Sequence, residues 1–134
     1  MSDEPRVVQA TRKGLAAVVA GDMAAWADLL TDDFRFEDRR MGLQSTLDKK
    51  ANIEQLSYVV EVGVEETELE VVETRGESVA LYRMTLHASG FVIAMLGLNV
   101  VTDDGRLRVA VLFDEDELDA ARAELDALAA NPAG

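Results

Sequence analysis

DFRFEDRRMG, residues 33–42, sets Phe34, Phe36, Asp38 and Arg40 on one set of alternating positions and Arg35, Glu37 and Arg39 on the other. Alternate side chains of a strand share a face. As a strand, this stretch therefore carries two aromatic rings that run directly into a carboxylate. A carboxylate on an apolar face either has a structural partner, here Arg39, Arg40 or Arg83, or has chemistry to perform. Desolvation on such a face makes a carboxylate a stronger base, so Asp38 is the first candidate for general-base work.

Working outward from this strand, the N-terminal side is helical. Ser2 or Asp3 is expected to cap a first helix with Pro5 in its first turn. Val8, Leu15, Val18 and Val19 recur at helical spacing, and Gly21 ends the helix. Asp22 caps a short second helix holding Trp26, Leu29 and Leu30, which Thr31-Asp32-Asp33 breaks. After Arg40, MGLQ is a turn with room for a short return strand. Ser45-Thr46-Leu47-Asp48 has the form of a capping box before a third helix running to about Glu61, stopped by Gly63.

Beyond that the period becomes two. A strand begins near Glu68, and Arg75-Gly76-Glu77 turns the chain. Val79, Leu81, Arg83, Thr85 and His87 then face one way, and Ala80, Tyr82, Met84, Leu86 and Ala88 the other. After Ser89-Gly90, Phe91 to Thr102 is apolar on both faces, as in a covered central strand. Asp103-Asp104-Gly105 is a hairpin signal, and Arg106 to Phe113 closes the sheet. A last helix is expected from Asp114, with Leu118, Ala121, Leu125 and Leu128 as its stripe and residues 131–134 as a tail. Segregated helices and strands give an α+β fold: a strongly curved antiparallel sheet wrapped around the N-terminal helices, with one pocket.

The 134 residues suit a single domain over 1–134, long enough to bury about 68% of the unfolded surface without staples. The net charge of −13, from 26 acidic and 13 basic residues, repels phosphate backbones and anionic bilayers, so neither nucleic acid nor membrane is an expected partner. The apolar run Phe91 to Val101 is shorter than the roughly 20 residues a membrane helix needs. The absence of cysteine excludes disulfides, thiolate metal sites and a cysteine nucleophile, and it agrees with a cytoplasmic location. MSDEPR carries no apolar run behind it, so no signal peptide is expected. His87 is the one histidine and lacks any metal-binding spacing, and no phosphate loop or nucleophile elbow occurs. No metal or cofactor is expected.

Two stretches carry a family resemblance. AAVVAGDMAAWADLLTDDFRFEDRRMG resembles the opening of nuclear-transport-factor-2-like proteins: a helix ending in Gly-Asp, a short helix ending in Leu-Leu-x-Asp-Asp, then a strand. DDGRLRVAVLFDEDELDAA is similar to their last hairpin and strand, and the finer character is that of actinomycete SnoaL-like domains. The resemblance implies a cone-shaped fold that hosts isomerases, cyclases, epoxide hydrolases, dehydratases and non-catalytic adaptors. It places Asp38 where ketosteroid isomerases keep their general base. Their helical tyrosine donor is replaced by Gly14, and their protonated aspartic acid falls at Gly97 or Asn99, so steroid isomerisation lacks its oxyanion donors. The Asp-Arg-Asp arrangement of limonene-epoxide hydrolases could draw two parts from Asp38 and Arg83.

The resulting candidates are Asp38 as base, Arg83 as electrostatic partner or substrate anchor, and His87 as proton shuttle. Trp26, Phe34, Phe36, Tyr58, Met84, Met95, Asn99 and Phe113 would line the pocket. The expected function is binding of a hydrophobic carbonyl- or epoxide-bearing small molecule, with cofactor-free acid/base catalysis of isomerase, cyclase or hydrolase type. A non-catalytic ligand-binding or dimerisation module is the alternative. Val71, Val100 and their neighbours on the outer sheet face are expected to need covering by a second subunit.

Overall fold

A computed structural model describes residues 4–42, 44–88 and 90–130. The expected caps Ser2 and Asp3, Ser89 of the expected turn and the tail at 131–134 lie outside the described residues. Helix α1 spans Arg6–Ala20, with Pro5 at its N-cap position and no side-chain cap. Its first free amides are met from a distance instead. Val7 N–H donates to the carbonyl of Glu77 (3.0 Å), and Arg6 N–H to Glu77 Oε1 (3.2 Å). At the other end Gly21 adopts φ 71°, and Asp22 N–H reaches Ala17 O at 2.9 Å, a left-handed cap that favours glycine.

Helix α2 is Met23–Leu29, capped by the Asp22 carboxylate on Ala25 N–H (3.0 Å). Strand β1, Leu30–Asp38, begins earlier than the acidic break suggested. The return strand exists: β2 is Ser45–Asp48. The capping box is corrected as a result. Ser45 is engaged in pairing with Asp38, and Asp48 alone caps α3 (Lys49–Val62) by accepting from Ala51 N–H at 2.9 Å. Then come β3 (Glu66–Arg75), β4 (Val79–Ala88), β5 (Phe91–Val101) and β6 (Leu107–Asp114). Helix α4 is Leu118–Ala130, not a helix from Asp114. Asp114 pairs with Met95 in the ladder, and its carboxylate accepts Met41 N–H (2.8 Å), so it is not available as a cap.

The six strands form one open, curved sheet in the order β2-β1-β6-β5-β4-β3. The sheet is mixed rather than antiparallel throughout, because β1 and β6 run parallel. These strands are the most distant in the chain, so no hairpin dictates their relative direction. Irregular registers interrupt β1, β3 and β5, and such bulges bend strands.

The inner face packs on α1 through Val7, Val8, Leu30, Phe34, Ala80, Val101, Leu107 and Ala110. The outer face carries Val79, Leu81, Leu96, Leu98, Val100, Val109, Val111 and Phe113 under Ala121 and Leu125 of α4. This corrects the expected cover at Val100, which is supplied by the chain's own last helix. Val71 and the start of β5 stay exposed. Among the described residues no helix is long and apolar enough to cross a membrane.

Candidate functional site

Asp38 sits at the end of β1 in a row that crosses the sheet. It pairs with Leu112, Leu112 with Gly97, and Gly97 with Tyr82. Directly paired residues project from the same face, so Asp38 shares the inner face with Tyr82, Met84 and Met95. It is 6% exposed and is the one charged side chain among the buried polar residues described. The strand stops there, and the chain turns so that Arg40 folds back on Asp38. Arg40 N–H (3.1 Å) and Nε (3.0 Å) donate to Oδ1, and Nη2 donates to Oδ2 (2.7 Å). This is a two-pronged guanidinium–carboxylate fork, the strong form of the ion pair.

The pair lies against an apolar cluster. Tyr82, Met84, Met95 and Leu112 are buried, with Leu15, Phe36, Leu69 and Leu86 half-buried around them. The remaining nitrogen of Arg40, Nη1, points at Met95 Sδ, 3.8 Å away. A thioether is a weak acceptor, so this charged donor is poorly used.

Deeper in, two rings fill space opened by two glycines. A Cβ on Gly14 would lie 2.8 Å from Trp26 Cζ3, and a Cβ on Gly97 would overlap the Tyr82 phenol. Trp26 Nε1 donates to Asn52 Oδ1 at 3.0 Å. The Tyr82 hydroxyl donates to Asn99 Oδ1 at 3.4 Å, Asn99 Nδ2 to Thr11 Oγ1 at 2.8 Å, and Thr11 to the Val7 carbonyl at 2.8 Å. Burial pushes the Tyr82 phenol well above its ordinary value, so it stays a proton donor.

Phe34, Phe36, Trp26, Met84, Met95 and Asn99 thus gather on the inner side with Asp38. Four other candidates do not join them. Arg83 pairs with Leu96 on the outer face and forms an ion pair with Glu70 (2.8 Å). His87 lies on that face too, 2.9 Å from Glu68. Phe113 lies under α4 with the Arg39 guanidinium 5.4 Å from its ring centre, and Tyr58 on α3 is 71% exposed. Sequence reasoning gave Arg40 only a structural role and passed over Tyr82. The alternation at 34–40 and at 80–88 held the signal for both.

The Glu68 carboxylate raises His87 above its ordinary 6.5, with Glu66 and Glu65 adding smaller contributions. A raised folded-state value means the pairing stabilises fully below pH 6.5 and is lost as pH rises through the folded value. In an NMR titration His87 is expected to titrate above 6.5, and Glu68→Gln to return it toward that value. An unchanged midpoint in Glu68→Gln would show that the contact does not form.

An open groove of about 420 Å³ lies elsewhere, between Asp32, Asp48, Lys49, Lys50, Ile53 and Glu54. Its mixed charges, with Lys49 3.7 Å from Asp32, suit solvent better than an apolar ligand.

No family model matches the chain, and no curated protein matches it. Many solved structures do. The RV0760c protein of Mycobacterium tuberculosis aligns at 16% identity over 84% of this chain and 92% of its own, with a TM-score of 0.69. That protein has also been solved with estradiol-17beta-hemisuccinate. SalBIII, an epoxide hydrolase/cyclase-like enzyme in pyran ring formation of the polyether salinomycin, aligns at 15% over 84% and 93%, with a TM-score of 0.70. An LEH-like epoxide hydrolase of M. tuberculosis aligns at 16% over 96% and 97%, with a TM-score of 0.61. Identity this low carries the architecture and not the residues, and on that basis the chain has the α+β cone fold of the SnoaL-like, nuclear-transport-factor-2-like proteins.

Proposed function

We propose that this chain binds a hydrophobic small molecule carrying a carbonyl or epoxide oxygen, on the inner sheet face beside Asp38 and Arg40. The observation that carries the reading is Arg40 Nη1, a charged donor whose acceptor among the described residues is the Met95 thioether, at the edge of an apolar cluster. A ligand oxygen would replace sulfur with a far better acceptor. Leu15, Phe36, Leu69 and Leu86, each only half-buried, would contact the hydrocarbon part. The steroid ester bound by the mycobacterial neighbour supports the ligand class.

A second reading adds turnover. Asp38 would act as base and Arg40 would polarise the oxygen, in cofactor-free opening of an epoxide or transfer of a proton beside a carbonyl. The burial of Asp38 favours it. The rings of Trp26 and Tyr82 over Gly14 and Gly97 favour binding alone, as in non-catalytic modules of this fold attached to regulators. On this geometry Arg83 and His87 serve the outer surface, and Arg40 takes the partner role.

Thermal shift against steroid ketones, terpenoid epoxides and aromatic polyketides tests the binding. A ligand at 100 times its Kd stabilises by about 2.7 kcal/mol. Arg40→Met is expected to lose most of the shift given by an oxygen-bearing ligand. No shift with any of the three classes would defeat the reading. Diol formation from an epoxide, abolished in Asp38→Asn, would establish turnover.

A further inference from the structure

Beside the start of β1, where residues 30–34 have no β2 partner but carry Asp32 and Asp33, the sheet has three stretches of free edge among the described residues, and they are not alike. The β2 edge is only Ser45–Asp48. The β3 edge is long but carries Glu66, Glu68, Glu70, Glu73 and Arg75. The third is the start of β5. Its ladder to β6 begins at Met95, opposite Asp114, while its ladder to β4 begins at Phe91, opposite Ala88. Phe91 to Ala94 therefore have a strand on one side and no ladder partner on the other. Short length and charge are the usual protections of an edge, and the first two stretches each have one of them. Phe91 to Ala94 are as short as the β2 edge but carry no charge at all, whereas that edge ends in Asp48. No Asp, Glu, Lys or Arg occurs from Phe91 to Thr102, in a chain that is 29% charged. Phe91, Val92 and Ile93 are 52%, 60% and 37% exposed.

We infer that this edge pairs with the same edge of a second copy, antiparallel about a two-fold axis near Val92. An antiparallel edge is complementary to itself, since each copy offers the N–H and C=O groups the other needs. The axis sets Val92 of one copy against Val92 of the other on the outer face. On the inner face it sets Phe91 against Ile93, apolar pairs of the kind that stabilise sheets. The strong negative charge does not oppose this geometry. With strands about 4.8 Å apart, the acidic β3 strands of the two copies are separated by five spacings, roughly 24 Å. That is well beyond the screening length of about 8 Å at physiological salt. Contact through β3 itself would instead oppose glutamate to glutamate. Pairing about Val92 also keeps the second strand short of Asp114, where β6 ends.

So short a pairing buries less than a standard interface, so the association is expected to be weak. Sedimentation of the full chain from micromolar to millimolar concentration tests it. The weight-average mass is expected to rise from 14.6 kDa toward twice that value. Val92→Lys puts a charge on an already exposed edge position and is expected to stay monomeric with unchanged thermal stability. Val62→Lys, 59% exposed on α3, is expected to behave as the parent chain. Amide exchange at residues 91–94 is expected to slow on association. A chain still monomeric at 1 mM overturns the inference, as does a dimer that Val92→Lys leaves intact or one with no protection at 91–94. Protection of the edge only by an added strand peptide would assign it to a different partner and overturn the self-pairing.

Discussion

Gly97→Ala is expected to destabilise the protein by about 3 kcal/mol, at the upper end of overpacking effects in cores. For a chain of this size that corresponds to a fall in Tm of roughly 10 °C. The cause is local. Gly97 faces Tyr82 across the β4–β5 ladder, and the phenol ring occupies the space a Cβ would take. Gly97 sits in an ordinary strand with no positive φ, so its need for glycine is steric and not conformational. The ring cannot swing away cheaply. Its hydroxyl is tied to Asn99, which is tied through Thr11 to α1, and Tyr82 is only 5% exposed. Tyr82→Ala alone should cost a comparable amount by leaving a cavity. The two changes compete for the same space, so the double variant is expected to lose at least 1 kcal/mol less than the sum of the singles. Chemical denaturation of the four proteins measures this coupling. A Gly97→Ala variant within 0.5 kcal/mol of the parent would show that the ring is not held over the glycine.

How far the sequence could lead is visible in the same residues. The alternation at 80–88 correctly divides Tyr82 and Met84 from Arg83 and His87. It does not say which set meets Asp38. That depends on the register through Leu112 and Gly97, and so on a parallel β1–β6 pairing that no local turn specifies. The choice of Arg83 as partner fails there, by one strand face. Local signals did better: Gly21, Asp22 and Gly63 end or begin helices where expected, because caps are set by neighbours in sequence. They failed where a distant group took the role. The ladder takes Asp114 and Ser45 from the helices they were to cap. Arg40 lies on the correct alternation but beyond the strand end, where the chain's turn brings its guanidinium back over Asp38.

That fold-back makes the second large effect separable from function. Arg40→Ala leaves the Asp38 carboxylate, whose side chain is only 7% exposed, without its counter-charge, and is expected to cost about 3 kcal/mol. Asp38→Ala should cost less, about 2 kcal/mol, because the Arg40 side chain is 20% exposed and can extend its guanidinium into water. Removing both leaves no stranded charge, so the double variant should be more stable than Arg40→Ala alone. Asp38→Leu with Arg40→Met should come within about 1 kcal/mol of the parent, since well-packed apolar groups often match a buried pair. Urea denaturation of these variants gives the cycle. Equal losses for Arg40→Ala and the double variant would show that Asp38 does not depend on Arg40. If the apolar pair restores stability yet abolishes ligand binding, the ion pair serves recognition. If it restores stability and binding together, Asp38 and Arg40 are architectural, and the ligand reading at this site falls with them.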